Sequence, residues 1–166
     1  DLHPQAILSI DTFHPAVAER ALQTGANWIN DVTGGAEAMW QVVAEADCPY
    51  VMMHMQGTPA TMQQNPSYED VIQEVLTALG KRVKQATVCG VKKIALDVGF
   101  GFGKTVAHNY ALLQSLDAFH ALKHPLLVGV SRKSMIQKVL NVSSEEALNG
   151  TTALHAWALD RGAQIL

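Results

Sequence analysis

Six short apolar runs, at 6–10, 28–30, 50–53, 93–96, 126–130 and 164–166, recur along this chain, and a helical pattern follows each of the first five. That alternation leaves few folds open, because parallel strands need a helix-length crossover between them. The runs are nearly continuous in apolar residues instead of alternating, as strands covered by helices are. Helices are expected at 15–24, 36–46, 68–89, 108–122 and 145–161, with a short one after Ser131. The longest places Val71, Ile72, Val75, Leu76, Leu79 and Val83 on one face before Gly90 ends it. Pro15 opens the first helix and Gly25 closes it.

Two architectures fit this order, an open doubly wound sheet and a (β/α)8 barrel. Each complete run ends in polar side chains: Asp11, Asn30 with Asp31, His54, Asp97, and Ser131-Arg132-Lys133. An open sheet gathers its chemistry at one switch point, whereas a barrel gathers it from many strand ends at one mouth. The fold class expected is therefore α/β, a TIM (β/α)8 barrel. About six of its eight strands fit in the 166 residues, taken as one incomplete domain over 1–166. Asp1-Leu2-His3-Pro4 has no initiator Met, which also reads as part of a longer chain.

Composition narrows the partners. With 48% apolar and 16% charged residues the chain can bury a core, and a net charge of −3 lacks the basic stripe of a nucleic-acid binder. No apolar run approaches the ~18 residues of a membrane span, and no signal peptide opens the chain. Cys48 and Cys89 form no C-x-x-C pair and read as reduced thiols of a cytoplasmic protein.

The most distinctive stretch is Leu96-Asp97-Val98-Gly99-Phe100-Gly101-Phe102-Gly103-Lys104-Thr105. Val98 stands where a Walker A loop needs its first Gly, and G-x-G-x-x-G fails in both registers, so a nucleotide loop is not expected. The stretch offers instead a strand-end carboxylate and a glycine turn that lets backbone approach a ligand. Phe100 or Phe102 would cover an adjoining apolar surface, unless both are core. Asp11, Asn30 and Asp97 together match a ring edge bearing an amine and a ring N–H, although Asp11 could instead cap the helix at Pro15. Asp31 reads equally as a turn residue. Ser131-Arg132-Lys133-Ser134 puts two cations at a helix start, the wrong end of the dipole, which points to a use for the charge. Met53 suits packing against a flat ring. His54 lacks a second ligand at metal spacing, so no protein metal site is expected.

Five stretches, Ser9-Ile10-Asp11-Thr12, Ile29-Asn30-Asp31, Met53-His54-Met55-Gln56-Gly57, 96–104 and Gly129-Val130-Ser131-Arg132-Lys133-Ser134, resemble motifs of the dihydropteroate synthase family, in its order. The resemblance implies condensation of 6-hydroxymethyl-7,8-dihydropterin diphosphate with 4-aminobenzoate. It implies that Asp11, Asn30, Met53, Asp97, Gly129 and Lys133 hold the pterin, with Lys133 catalytic. Phe102 and Ser134 would lie along the 4-aminobenzoate site, where sulfonamides compete. It further implies Mg²⁺ carried by the diphosphate, a homodimer at full length and small molecules as the only other partners. Val98 replaces the family's Pro and loosens the turn. The family's first two βα units and the end of its last strand, which carry the diphosphate site, are expected to be missing, leaving the 166 residues inactive alone. The rival reading is a pterin-binding domain passing methyl groups from methyltetrahydrofolate to a corrinoid protein; the Ser131-to-Ser134 stretch speaks against it.

Overall fold

The computed structural model describes residues 3, 5–62 and 64–166, so Asp1, Leu2 and Pro4 of the opening stretch lie outside the described residues. Strands and helices alternate: β1 (Ser9–Asp11), α1 (Pro15–Gln23), β2 (Trp28–Asp31), α2 (Glu37–Glu45), β3 (Tyr50–Met53), α3 (Val71–Val88) and β4 (Ile94–Asp97). They continue with α4 (Val106–Gln114), a 3₁₀ segment (Leu116–Leu122), β5 (Leu126–Leu127), α5 (Ser134–Leu140) and α6 (Leu148–Asp160). The sheet runs β1-β2-β3-β4-β5 with every pairing parallel. Strand order equal to chain order, with helices between parallel strands, is the build of a (β/α)8 barrel, of which these units form an arc.

Strand ends differ from the expected runs for reasons of pairing. β1 starts at Ser9, because its ladder begins where β2 begins, at Ser9 opposite Trp28. Ile7 and Leu8 stay exposed, although Leu8 is tied to Asn27 through its own N–H and carbonyl. Only Leu126 and Leu127 of the fifth run pair with β4. The sixth run is a single bridge, Leu127 to Ile165, with the Val128 N–H donating to the Ile165 carbonyl at 2.9 Å.

Helix ends follow caps that the apolar periodicity does not report. α3 begins at Val71, because Asp70 Oδ1 accepts from the Ile72 and Gln73 N–H groups at 3.0 Å. Tyr68 is thereby released, and its hydroxyl donates to the Gly103 carbonyl. The stretch expected as one helix at 108–122 is two pieces: Thr105 and His108 cap α4, and Ser115 separates it from the 3₁₀ segment. Residues 145–147 precede α6, where Ser143 and Glu146 bond reciprocally.

The core lies between the sheet and its helices. β3 and β4 are buried along their whole length. Ile29, Tyr50, Met52 and Leu96 meet Met39 of α2, Val75 and Leu79 of α3, Leu112 of α4 and Phe119 of the 3₁₀ segment. At Gly150 in α6 a Cβ would overlap the Ile136 side chain of α5. Gly150→Ala gains up to ~1 kcal/mol of helix propensity but forces overpacking costing about 1–3 kcal/mol. We expect a net loss in urea unfolding; higher stability would show that α5 and α6 separate freely.

Candidate functional site

Parallel register puts the polar strand ends side by side. Asp11 pairs with Asn30 and Met53 with Asp97, and the four line one cavity of about 620 Å³. Phe102, Gly129 and Lys133 complete the expected residues around it. Period-two geometry explains this, since residues i and i+2 of a strand face one side. Ser9 with Asp11, Trp28 with Asn30, and Val51 with Met53 therefore line the same cavity. Ser9, Trp28 and Val51 were not singled out from the sequence, although that period was there to find them.

Asn30 Nδ2 donates to Asp11 Oδ2 at 3.1 Å, which fixes the amide against the carboxylate. Asp11 is not the helix cap: His14 holds that position without a side-chain bond, and Thr12 Oγ1 accepts from the His14 N–H. Asp31 is wholly buried and structural, accepting from Tyr50 Oη at 3.0 Å and from the Thr33 N–H and hydroxyl. Burial and this carboxylate push the Tyr50 phenol well up, so it stays a donor.

Asp97 and Lys133 carry opposite charges into the cavity. Asp97 is 7% exposed, and its Oδ1 accepts from the Gly99 N–H at 2.7 Å. Burial raises its pKa, while that N–H and the charges of Lys133 and Lys104 pull it back. Lys133 Nζ donates to the Phe100 carbonyl at 2.6 Å and sits 5.0 Å from the Phe102 ring centre, in cation–π range. Burial lowers its pKa and Asp97 opposes that. A Cβ at Gly129 would lie 3.8 Å from Lys133 Nζ and 3.9 Å from Asp97 Oδ2, so glycine keeps the space between them open.

Some expected members stand apart. Phe100 is fully buried in the core, which leaves Phe102 as the phenylalanine facing the cavity. Ser134, the first residue of α5, is exposed and is not part of the cavity lining. Arg132 is exposed too, with φ at +49° and its N–H donating to Thr151 Oγ1. Among the described residues no three His, Cys, Asp or Glu side chains cluster as a metal site.

Lys104, which the sequence offers as a residue of the glycine stretch without a role of its own, is 4% exposed. Its Nζ donates to the Gly99 and Phe102 carbonyls at 2.9 Å and to the His54 carbonyl at 3.2 Å. Gly99 has φ at +72°, and a Cβ there would overlap that same His54 carbonyl. His54 is held down to about 3 by burial and by the charges of Lys104 and Arg82, so it is neutral. Burial lowers Lys104 to about 7, with Asp97 opposing and Lys133 adding to the fall. Between pH about 7 and the ordinary lysine value of 10.5 the unfolded chain then binds the extra proton, so folding stability rises with pH. Urea unfolding should show this rise in the native protein and a smaller one in Lys104→Met, where Lys133 still contributes. Parallel curves would mean that Lys104 stays charged throughout.

The fold is an arc of a (β/α)8 barrel with a polar cavity at its strand ends, and comparison with known proteins gives its family. The chain belongs to the family described as pterin binding enzyme, which it matches over residues 2–166. It is 43% identical over 162 residues to the dihydropteroate synthase of Escherichia coli K12, covering 96% of this chain and 57% of that protein. Two solved structures of the Thermus thermophilus synthase are 42% identical. The complex with 6HMPPP superimposes with a TM-score of 0.95, covering 99% of this chain and 67% of that one. The complex with 4-aminobenzoate gives 0.96, covering 99% and 65%. The chain thus spans little more than half the length of the Escherichia coli relative.

Proposed function

We propose that residues 1–166 are the pterin-holding unit of a dihydropteroate synthase, joining a pterin diphosphate to 4-aminobenzoate. The observation that carries this is the single cavity in which Asp11 with Asn30 faces the oppositely charged Asp97 and Lys133. Asp97 would accept from the amine and ring N–H of the pterin, and Lys133 would donate to ring acceptors. Asp11 and Asn30 would read the remaining polar edge, with Met53 and Gly129 lining the slot. Phe102 would border the 4-aminobenzoate subsite, and Ser134 would reach it from the start of α5.

The chemistry needs no covalent enzyme intermediate. The carbon–oxygen bond to diphosphate breaks with its electron pair leaving on oxygen, and the aniline nitrogen attacks the resulting methylene carbon and loses a proton. Positioning and charge carry such a reaction. The buried Asp97 carboxylate would stabilise the positive charge that develops on the ring. Mg²⁺ would arrive with the diphosphate as part of the substrate. A cytoplasmic homodimer is the matching setting; among the described residues no helix is long and apolar enough to cross a membrane. The methyltransferase alternative has no comparable support from the relatives.

The test is a chimera in which these residues replace the matching segment of the Escherichia coli synthase. It should form dihydropteroate, and the 166-residue chain alone should not; methyl transfer from methyltetrahydrofolate without dihydropteroate would overturn the reading. In the chimera, Asp97→Asn removes one charged acceptor worth about 1.5–3 kcal/mol. Pterin binding by calorimetry should weaken roughly ten- to a hundredfold, and unchanged affinity would refute the assignment. Lys133→Ala should lower turnover strongly even at temperatures where the variant is fully folded, although the Phe100 carbonyl and Asp97 lose a partner. Lost stability with a retained rate would make Lys133 structural.

A further inference from the structure

Lys104 lies outside the cavity lining, so it does not act by touching what binds there. A lysine this buried is rare without a partner of opposite charge. Its partners are instead three backbone carbonyls, those of Gly99 and Phe102 in the glycine loop and that of His54 at the neighbouring strand end, together with the His54 Nδ1 at 3.2 Å. An ammonium has three N–H donors and no acceptor, which suits a site made only of acceptors such as these. Even as a neutral amine it keeps two.

The other restraints on the loop come from different sides. Asn109 Oδ1 accepts from the Gly101 N–H at 2.8 Å, and Tyr68 Oη donates to the Gly103 carbonyl at 2.8 Å. Lys133 holds the Phe100 carbonyl from the cavity side. Of the two lysines, Lys133 faces the ligand space and is available to a ligand, whereas Lys104 lies outside that space and ties the loop to His54. Its bond to the Phe102 carbonyl acts on the same residue whose ring borders the cavity.

We propose that Lys104 is a positioning residue for the amine-donor subsite, clamping the loop from Gly99 to Gly103 so that Phe102 is presented to 4-aminobenzoate. This rests on the assignment of Phe102 to that subsite. The geometry separates the two substrates. Releasing the clamp frees the far end of the loop, while Asp97 keeps its place on β4, paired in register with Met53 and Leu127.

The test uses Lys104→Met in the chimera, a change that keeps length and removes the donors. KM for 4-aminobenzoate should rise by about tenfold or more, while the Kd for the pterin diphosphate changes by less than about threefold. Lys104→Arg should not rescue it, because a planar guanidinium cannot point at three carbonyls set around one atom. Amide hydrogen exchange at 99–103 should quicken in Lys104→Met. Equal weakening of both substrates, or unchanged KM with unchanged exchange, would overturn the proposal. Should Lys104→Met fail to fold, Tyr68→Phe releases the loop from its outer side. It should raise the 4-aminobenzoate KM several-fold with pterin affinity kept, and an unchanged KM would overturn the proposal equally. If the unsubstituted chimera makes no dihydropteroate, the functional reading fails first. Exchange at 99–103 still decides whether the clamp exists.

Discussion

In-register parallel pairing is the constraint from which everything at the cavity follows. A parallel ladder brings strand ends to one side, and the period of two decides which side chain at each end turns inward. Asp11 meets Asn30 because Ser9 pairs with Trp28 two residues earlier. Met53 meets Asp97 because Tyr50 pairs with Ile94. A slip of one residue in either ladder would turn a functional side chain into the helix layer and bring an apolar one to the mouth. The helices secure the register by burying the opposite face, with Ile29, Met52 and Leu96 packed beneath the polar rim.

The rim itself holds charge against a desolvation penalty. Asp97 and Lys133 are each pulled toward neutrality by burial and toward ionisation by the other. The Gly99 N–H adds a fixed partial charge to the carboxylate side. Such a pair is most strongly charged when something polar occupies the space between, and Gly129 keeps that space clear.

Much of this was legible in the sequence because the signals were short-ranged. The strand cores, the order of the elements and the inward Asp11, Asn30, Met53, Asp97 and Lys133 follow from apolar runs and what ends them, whereas Gly129 came only from the family resemblance. What was not legible depends on partners distant in the chain. The last two runs look like full strands, yet only Leu126, Leu127 and Ile165 find pairing partners. The helix expected at 108–122 breaks at Ser115, and the 3₁₀ segment that follows, ended by the left-handed turn at Lys123, is one that apolar spacing alone cannot distinguish. Phe100 and Phe102 are indistinguishable by type, and only the turn between them sends one inward and the other to the cavity. Lys104 was visible as a residue of the glycine stretch, but its role was not, because its partners are mainly carbonyls, which every residue carries.

The contact between Gly99 and the His54 carbonyl reaches beyond the cavity. The segments following β3 and β4 are locked together there, again where a Cβ on Gly103 would meet Gln56, and again where Tyr68 reaches Gly103. Barrels are often pictured as interchangeable strand–helix modules, each free to vary its own loop. In this chain the third and fourth modules form one inheritable unit. Recombination that divides them between parents would set a side chain of one against the backbone of the other, so workable crossovers lie before β3 or after the Lys104 turn.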